Sequence, residues 1–251
     1  MNKDNTKHTI LQRITTIIFF GIAIYSFIQL SSNLMNYFNN RQVLKEAQTI
    51  YLQSEEKQTS KVSNNQMQFE DLLHINPDIV GWIKIEDTFI NYPIVQASDN
   101  EYYLNRNYKK ETEKAGSIFM DYRNDIANEN NNTILYGHRM KDGSMFAQLS
   151  KFLDEEFFKK HQSFTYETLH EEYEVKVFSI YKTTTDFNYI ETDFLNDEDF
   201  SNFLSTIQEK SIYFSKNKVT LQDNIITLST CDTGVDPEEG RLVLHGSITK
   251  K

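Results

Sequence analysis

The hydrophobic and polar positions of this chain fall into three regimes along its length. Residues 14–30, ITTIIFFGIAIYSFIQL, form an uncharged, mostly apolar run of 17. That is the short end of what crosses a bilayer as a helix, and continuing through SSNLMNYF lengthens it at little cost. Residues 32–60 are polar with apolar positions at Leu34, Met35, Phe38, Leu44, Ala47, Ile50 and Tyr51, a broadly helical spacing that predicts a stalk packing on the domain beyond. NQMQFEDLLHIN predicts a short second helix through Met67, Phe69, Leu72 and Leu73. Asn76-Pro77 ends it, because the residue before a proline is pushed out of the helical region.

From Val80 the period shortens towards two. VGWIKIEDTFINYPIVQ roughly alternates around an Asp87-Thr88 turn and predicts two strands. GSIFMD (116–121), NTILYGH (132–138), EEYEVKVFSIYKTT (171–184), DNIITLSTC (223–231) and RLVLHGSIT (241–249) predict five more. Two helices interrupt them. One covers 144–161. The other covers 196–211, where Phe200, Phe203, Leu204 and Ile207 recur at i, i+3, i+4 and i+7. Asn196 or Asp197 can cap it, and acids fill its first turn. With no Gly/Pro-rich break between them, the strands predict one mainly β sheet system, a barrel or a sandwich.

Charge adds location. The 251 residues carry a formal net charge of −10 with Lys and Arg interleaved among the acids, so no basic stripe for nucleic acid is present. Ahead of the apolar run, Lys3, Lys7 and Arg13 outweigh Asp4. The positive-inside rule then leaves residues 1–13 in the cytoplasm, 14–30 as a transmembrane anchor, and the rest outside the cell. Residues 31–78 are expected to form the stalk and N-terminal helices, and 79–251 the β domain. A cleaved signal peptide is the alternative. No clear A-x-A-like site follows the run, which favours a retained anchor.

Export makes the one cysteine, Cys231, informative. Exported domains often use cysteines in pairs, as disulfides. A lone one is a buried small hydrophobe, an intermolecular link or a reactive thiol. Reactivity needs thiolate, and at a free thiol pKa of about 8.5 only a few per cent is ionised near neutrality. Histidine and a cation are the groups that raise the fraction. His8 falls on the cytoplasmic side, His74 in a helix, and His161 and His170 among charges where solvent is expected. Two are left. His138 ends a strand as Cys231 does, and His245 lies within a strand on a face that alternation must decide. Arg241 begins the strand after Cys231, beyond the nine-residue loop DTGVDPEEG. If the loop turns back, its guanidinium stands beside Cys231 and can hold a carbonyl or an oxyanion. From spacing alone, an exposed arginine paired with Glu238 or Glu239 is the plainer reading. Metal-ligand spacings and phosphate- or dinucleotide-binding glycine motifs are absent from the sequence, so no metal or cofactor is expected.

TLSTC (227–231) followed ten residues later by Arg241, with His138 closing NTILYGH, resembles the sortase signature. AGSIFMD (115–121), YKTTTDFNYI (181–190) and the inserted helix 196–211 resemble class B sortases in particular, over roughly 80–249. The resemblance implies a closed eight-stranded β-barrel with N-terminal helices and a helix inserted between two late strands. It implies a membrane-anchored extracellular transpeptidase. Cys231 would attack the Thr carbonyl of a C-terminal sorting signal, NPQTN-like or LPXTG-like, on a secreted protein. An amine of a cell-wall peptide or lipid-linked precursor would resolve the thioester. His138 would be the general acid and base and Arg241 the holder of carbonyls and oxyanion. Asn100, Leu104, Tyr136, Thr185, Tyr189, Ile190 and Ser229 would line the substrate groove. Asp232 stands where the class B pattern has Glu.

Arg241 beside Cys231 favours thiolate but disfavours an imidazolium on His138. The two effects oppose, so a minority ion pair and slow turnover are expected. A pilin-polymerising sortase and a cysteine hydrolase use the same three residues. An anchored, non-enzymatic ectodomain with Cys231 in its core is the reading furthest from these.

Overall fold

A computed structural model describes residues 3–57, 65–126 and 130–251. Residues 1–2, 58–64, which include the end of the expected stalk at 58–60, and 127–129 of the Asn-rich loop lie outside the described residues. The apolar run and the stalk are one helix, α1 (Lys3–Lys57). The chain divides into two compact units, Met1–Gln42 and Val43–Lys251. In the first, side chains such as Phe19, Phe20 and Phe27 are exposed. Among the described residues one helical segment, Arg13–Ser54, is long and apolar enough to cross a membrane, with a mean hydropathy of 1.8 over its most apolar window.

The second unit is a closed barrel. After α2 (Asn65–Ile75) come β1 (Ile79–Lys84), β2 (Asn91–Val95), β3 (Ile118–Met120), β4 (Asn132–Tyr136), α3 (Glu155–Lys160), β5 (Ser163–Thr168), β6 (Glu172–Thr183), α4 (Asp197–Glu209), β7 (Ile225–Cys231) and β8 (Arg241–Lys250). Around the barrel the order is β1-β2-β3-β4-β7-β8-β6-β5, closed by the antiparallel β1–β5 pair. β2–β3 and β4–β7 are parallel, and the other pairs are antiparallel. Closure leaves no edge strand among the described residues. The interior is filled by apolar side chains such as Ile83, Ile94, Leu135, Val177, Leu228 and Leu244.

Two outer layers cover the barrel. Ala47 and Tyr51 of α1, with Phe69 and Leu72 of α2, bury against Trp82 and Val95. Tyr51 stacks on Trp82 with ring centroids 4.1 Å apart and donates to Glu167 Oε2 at 2.6 Å. On another face, α4 lays Phe200, Leu204 and Ile207 over Phe178, Ile225 and Val243. Burying each of those three side chains contributes roughly 1.5–3 kcal/mol. Asn196 caps this helix, its Oδ1 accepting from Asp199 N at 3.0 Å.

Three departures from the pattern reading have local causes. β5 was not among the seven strands the alternation predicts. It is short, and only Phe164 and Tyr166 turn to the core while Thr165 and Ser163 face out. The helix expected over 144–161 is broken in two. A 3-10 segment, Phe146–Leu153, ends at Asp154, which is extended and caps α3 by accepting from Phe157 N at 2.9 Å. His161, expected in solvent, is buried: it stacks on Phe157 and meets Asp87 Oδ2 at 3.0 Å.

Candidate active site

The site forms where β4 and β7 run parallel. Tyr136 is in register with Ser229. His138 and Cys231 each lie two residues further on, so both leave the barrel at the same end. Between Tyr136 and His138 the chain passes through a glycine, where a side chain would be crowded. A Cβ on Gly137 would come within 2.4 Å of Ile118 Cδ1 and 2.9 Å of the Phe146 ring. Arg241 opens β8 and is the register partner of Cys231. The loop between them does turn back, and Asp232 N donates to Gly240 O at 2.8 Å.

His138 Nε2 lies 2.7 Å from the Leu104 carbonyl oxygen. A carbonyl only accepts, so Nε2 carries the proton and the neutral ring keeps its lone pair on Nδ1. Cys231 ends a strand that is otherwise buried, and is itself exposed. Arg241 does not pair with Glu238 or Glu239 through their carboxylates. Its Nη1 donates to the backbone oxygens of Glu238 at 3.0 Å and Gly240 at 2.9 Å. The guanidinium is thus held by neutral backbone oxygens and not by a carboxylate.

A cavity of about 300 Å³ opens at this end of the barrel. His138, Cys231 and Arg241 line it, and so do Asn100, Leu104, Tyr136, Thr185, Tyr189, Ile190 and Ser229. Tyr189 shows how tightly these groups gather. Its hydroxyl is 2.9 Å from Ser229 Oγ. Burial pushes its phenol up, the Ser229 hydrogen bond and the Arg241 charge oppose that, and Cys231 adds to it.

Three lining residues escaped the sequence reading: Phe119, Gly137 and Thr230. Thr230 precedes Cys231 in TLSTC, and its hydroxyl is buried without a hydrogen-bond partner among the described residues. The role of the Leu104 backbone carbonyl had no side-chain signal to reveal it.

His245, the other candidate, lies in the core. Thr227 gives its one hydroxyl proton to Asn132 Oδ1 at 2.7 Å, so it accepts from His245 Nδ1 at 2.9 Å. His245 Nε2 then accepts from the Tyr181 hydroxyl at 2.8 Å. Burial lowers its pKa to about 3, and it is held neutral. Asp232 is also buried, beside Cys231. It pairs with Arg139 and Lys182, each at 2.9 Å, and accepts from Gly234 N at 3.0 Å. Burial pushes its carboxyl up, but these donors and charges outweigh that and hold it below the usual range. No cluster of metal ligands occurs among the described residues.

A thiol, an imidazole and a guanidinium around one open cavity on a mixed eight-stranded barrel match the class of cysteine acyl-transfer enzymes. A family model described as Sortase domain matches residues 83–249. The chain belongs to the sortase family of cysteine transpeptidases, in its class B branch. It is 45% identical to the Sortase B of Listeria monocytogenes over 237 residues, covering 94% of this chain and 96% of that protein. A sortase B structure from Bacillus anthracis superposes with a TM-score of 0.78 at 53% identity, covering 87% of this chain and 100% of that one. A Staphylococcus aureus sortase B–substrate complex gives 0.80 at 41% identity, covering 86% and 99%.

Proposed function

We propose that this transpeptidase acts outside the cell, held by residues 14–30 in the membrane with 1–13 in the cytoplasm, 31–78 as stalk and N-terminal helices, and 79–251 as the catalytic domain. Its substrates are secreted proteins with a C-terminal sorting signal. The observation that carries this reading is the gathering of His138, Cys231 and Arg241 with seven further side chains around one cavity.

The chemistry follows from the groups present. His138 Nδ1 takes the Cys231 proton, and the sulfur attacks the Thr carbonyl carbon. Arg241 donates to the oxyanion that develops, a fixed charge aimed at where negative charge appears. The tetrahedral adduct collapses, the C–N bond breaks, and the imidazolium proton goes to the departing amine. A thioester is left on Cys231. A cell-wall peptide amine then attacks that carbonyl, His138 takes its proton, and the thiolate leaves. Asn100, Leu104, Tyr136, Thr185, Tyr189, Ile190 and Ser229 supply the groove that holds the signal.

The test is incubation of the detergent-solubilised chain with NPQTN-like and LPXTG-like peptides, with and without a short amine, followed by mass spectrometry. The expected result is cleavage after Thr, an amine-linked product, and a thioester adduct on Cys231 when the amine is withheld. Cleavage to a free carboxylate that an added amine never diverts indicates a hydrolase instead. Cleavage by C231A refutes the assignment.

A further inference from the structure

Behind the cavity stands a carboxylate that the chemistry above does not use. Asp121 is fully buried at the end of β3, with no exposed surface. Five donors converge on it. Arg123 supplies its backbone N–H and Nε to Oδ1, at 2.9 and 2.8 Å, and Nη2 to Oδ2 at 2.8 Å. The Tyr136 hydroxyl donates to Oδ2 at 2.8 Å and Asn100 Nδ2 at 3.0 Å. Arg123 Nη2 also donates to the Ile190 carbonyl at 2.9 Å. Asn100, Tyr136 and Ile190 lie on three separate segments, and all three line the cavity.

The pair constrains what that wall presents. A carboxylate only accepts, so Nδ2 of Asn100 must face Asp121, and its Oδ1 accepts from Tyr122 N at 3.0 Å. The amide cannot flip without breaking both bonds. The Tyr136 hydroxyl gives its proton to Asp121, leaving only lone pairs to offer elsewhere, and burial with the adjacent carboxylate pushes its phenol up. The bond to the Ile190 carbonyl ties the β6–α4 loop to the β3 end. Burial pushes the Asp121 carboxyl up, yet the Arg123, Tyr136 and Asn100 donors hold it below the usual carboxylate range. All five donors favour the ionised form of the hub.

We infer that Asp121 and Arg123 are positioning residues for the substrate: together they fix the donor and acceptor pattern of the Asn100–Tyr136–Ile190 wall, and so set which signal peptide the groove accepts. The inference rests on the transpeptidase reading above. It goes beyond it by assigning peptide selection to a pair that does not line the cavity. Because His138, Cys231 and Arg241 are held by other contacts, the pair acts on binding and leaves the chemical step alone.

The experiment uses the full chain in detergent, with R123Q, R123K and D121N, on the same peptide panel. Arg123 has 32% of its side chain exposed, so R123Q does not depend on D121N folding. R123Q is expected to raise KM about tenfold for the best peptide and to flatten the ranking across the panel. kcat, both limbs of the pH profile and the rate of Cys231 alkylation stay within about twofold. In a C231A background the peptide Kd rises by the same factor. R123K keeps a charge on Asp121 but cannot fork onto both oxygens and Ile190, so it falls between. R123Q with unchanged KM and ranking overturns the inference alone, as does a fall in kcat at constant KM. A wild-type chain that cleaves no peptide overturns the reading beneath it, and the inference falls with it.

Discussion

Arg241 faces Cys231 across the β7–β8 ladder as its register partner, with its guanidinium bonded to two loop carbonyls and to no carboxylate among the described residues. A full positive charge therefore stands one strand away from the sulfur. The bonds to Glu238 O and Gly240 O orient it without neutralising it.

On the proposed chemistry, Arg241 acts on the transition state. R241A and R241Q are expected to lower kcat by about a hundredfold to a thousandfold, the usual cost of removing an oxyanion donor. KM for the peptide should change less. R241K, a point charge without the fork, is expected to recover only part of the rate. Steady-state kinetics with a fluorogenic signal peptide checks this; R241A at wild-type kcat removes Arg241 from the chemistry.

On the proposed chemistry His138 and Cys231 must hold opposite protonation states, so the rate should pass through a bell with pH. H138N is expected to lose one limb together with most of the rate. Rate measurements over the pH range decide it, and a flat profile contradicts a required acid and base.

Gly137 sets the path from β4 to His138. In G137A the new methyl meets Ile118 and Phe146, side chains of a packed core. Overpacking of this kind costs typically 1–3 kcal/mol. Thermal unfolding is expected to show that loss. kcat should fall as well, because relief of the clash moves His138. A G137A enzyme with lower stability and unchanged kcat separates the two effects.

Stability should depend on pH through His245. Its folded pKa is lowered to about 3 by burial, against an ordinary value of 6.5. Below pH 6.5 the unfolded chain binds a proton that the folded chain refuses, so stability is lost as pH falls from about 6.5 to about 3. The slope approaches about 1.4 kcal/mol per pH unit for one group. The lowered carboxyls of Asp121 and Asp232 act further down: their stabilisation is present above the ordinary 3.8 and disappears as pH falls through their folded values. Urea unfolding at pH 7, 5.5 and 4.5 is the measurement. A stability independent of pH across 6.5–4.5 contradicts a neutral, buried His245.

Asp232 offers a separable case. D232N keeps the acceptor for Gly234 N but leaves Arg139 and Lys182 without their shared carboxylate. D232E keeps the charge but carries the carboxylate one methylene further from the Gly234 N–H that Asp232 Oδ1 accepts from. Both variants are expected to lower Tm. D232N should also lower kcat, since Arg139 adjoins His138. Tm and kcat measured on both variants test whether charge or turn geometry dominates.

Much of this molecule was legible in its residues. The charge-free run at 14–30 announces a long apolar helix, because every position along it shares one property. The i, i+3, i+4, i+7 spacing from Phe200 to Ile207 announces α4 and its buried face, and Asn196 its start. TLSTC, NTILYGH and Arg241 at their spacing resembled one family closely enough to name a thiol, an imidazole, a guanidinium and seven further positions, and the structure gathers all ten around one cavity. What stayed hidden was whatever depends on partners far away in sequence. β5 has only two core residues and no helix or turn signal of its own. His161 looked solvated because its neighbours in sequence are charged, whereas Phe157 and Asp87 enclose it.

Sequence alone determined most of the elements, the buried face of α4 and the chemical groups on offer, because side-chain period and capping act within one segment of chain. Only the tertiary structure decided which groups meet. The parallel β4–β7 register carries His138 and Cys231, 93 residues apart, to the same end of the barrel. The alternation of β8 buries His245 between Thr227 and Tyr181, and the barrel's closure sets Asp121 behind Asn100, Tyr136 and Ile190. Pairing across strands is a relation between distant residues, and no periodicity within either strand encodes it.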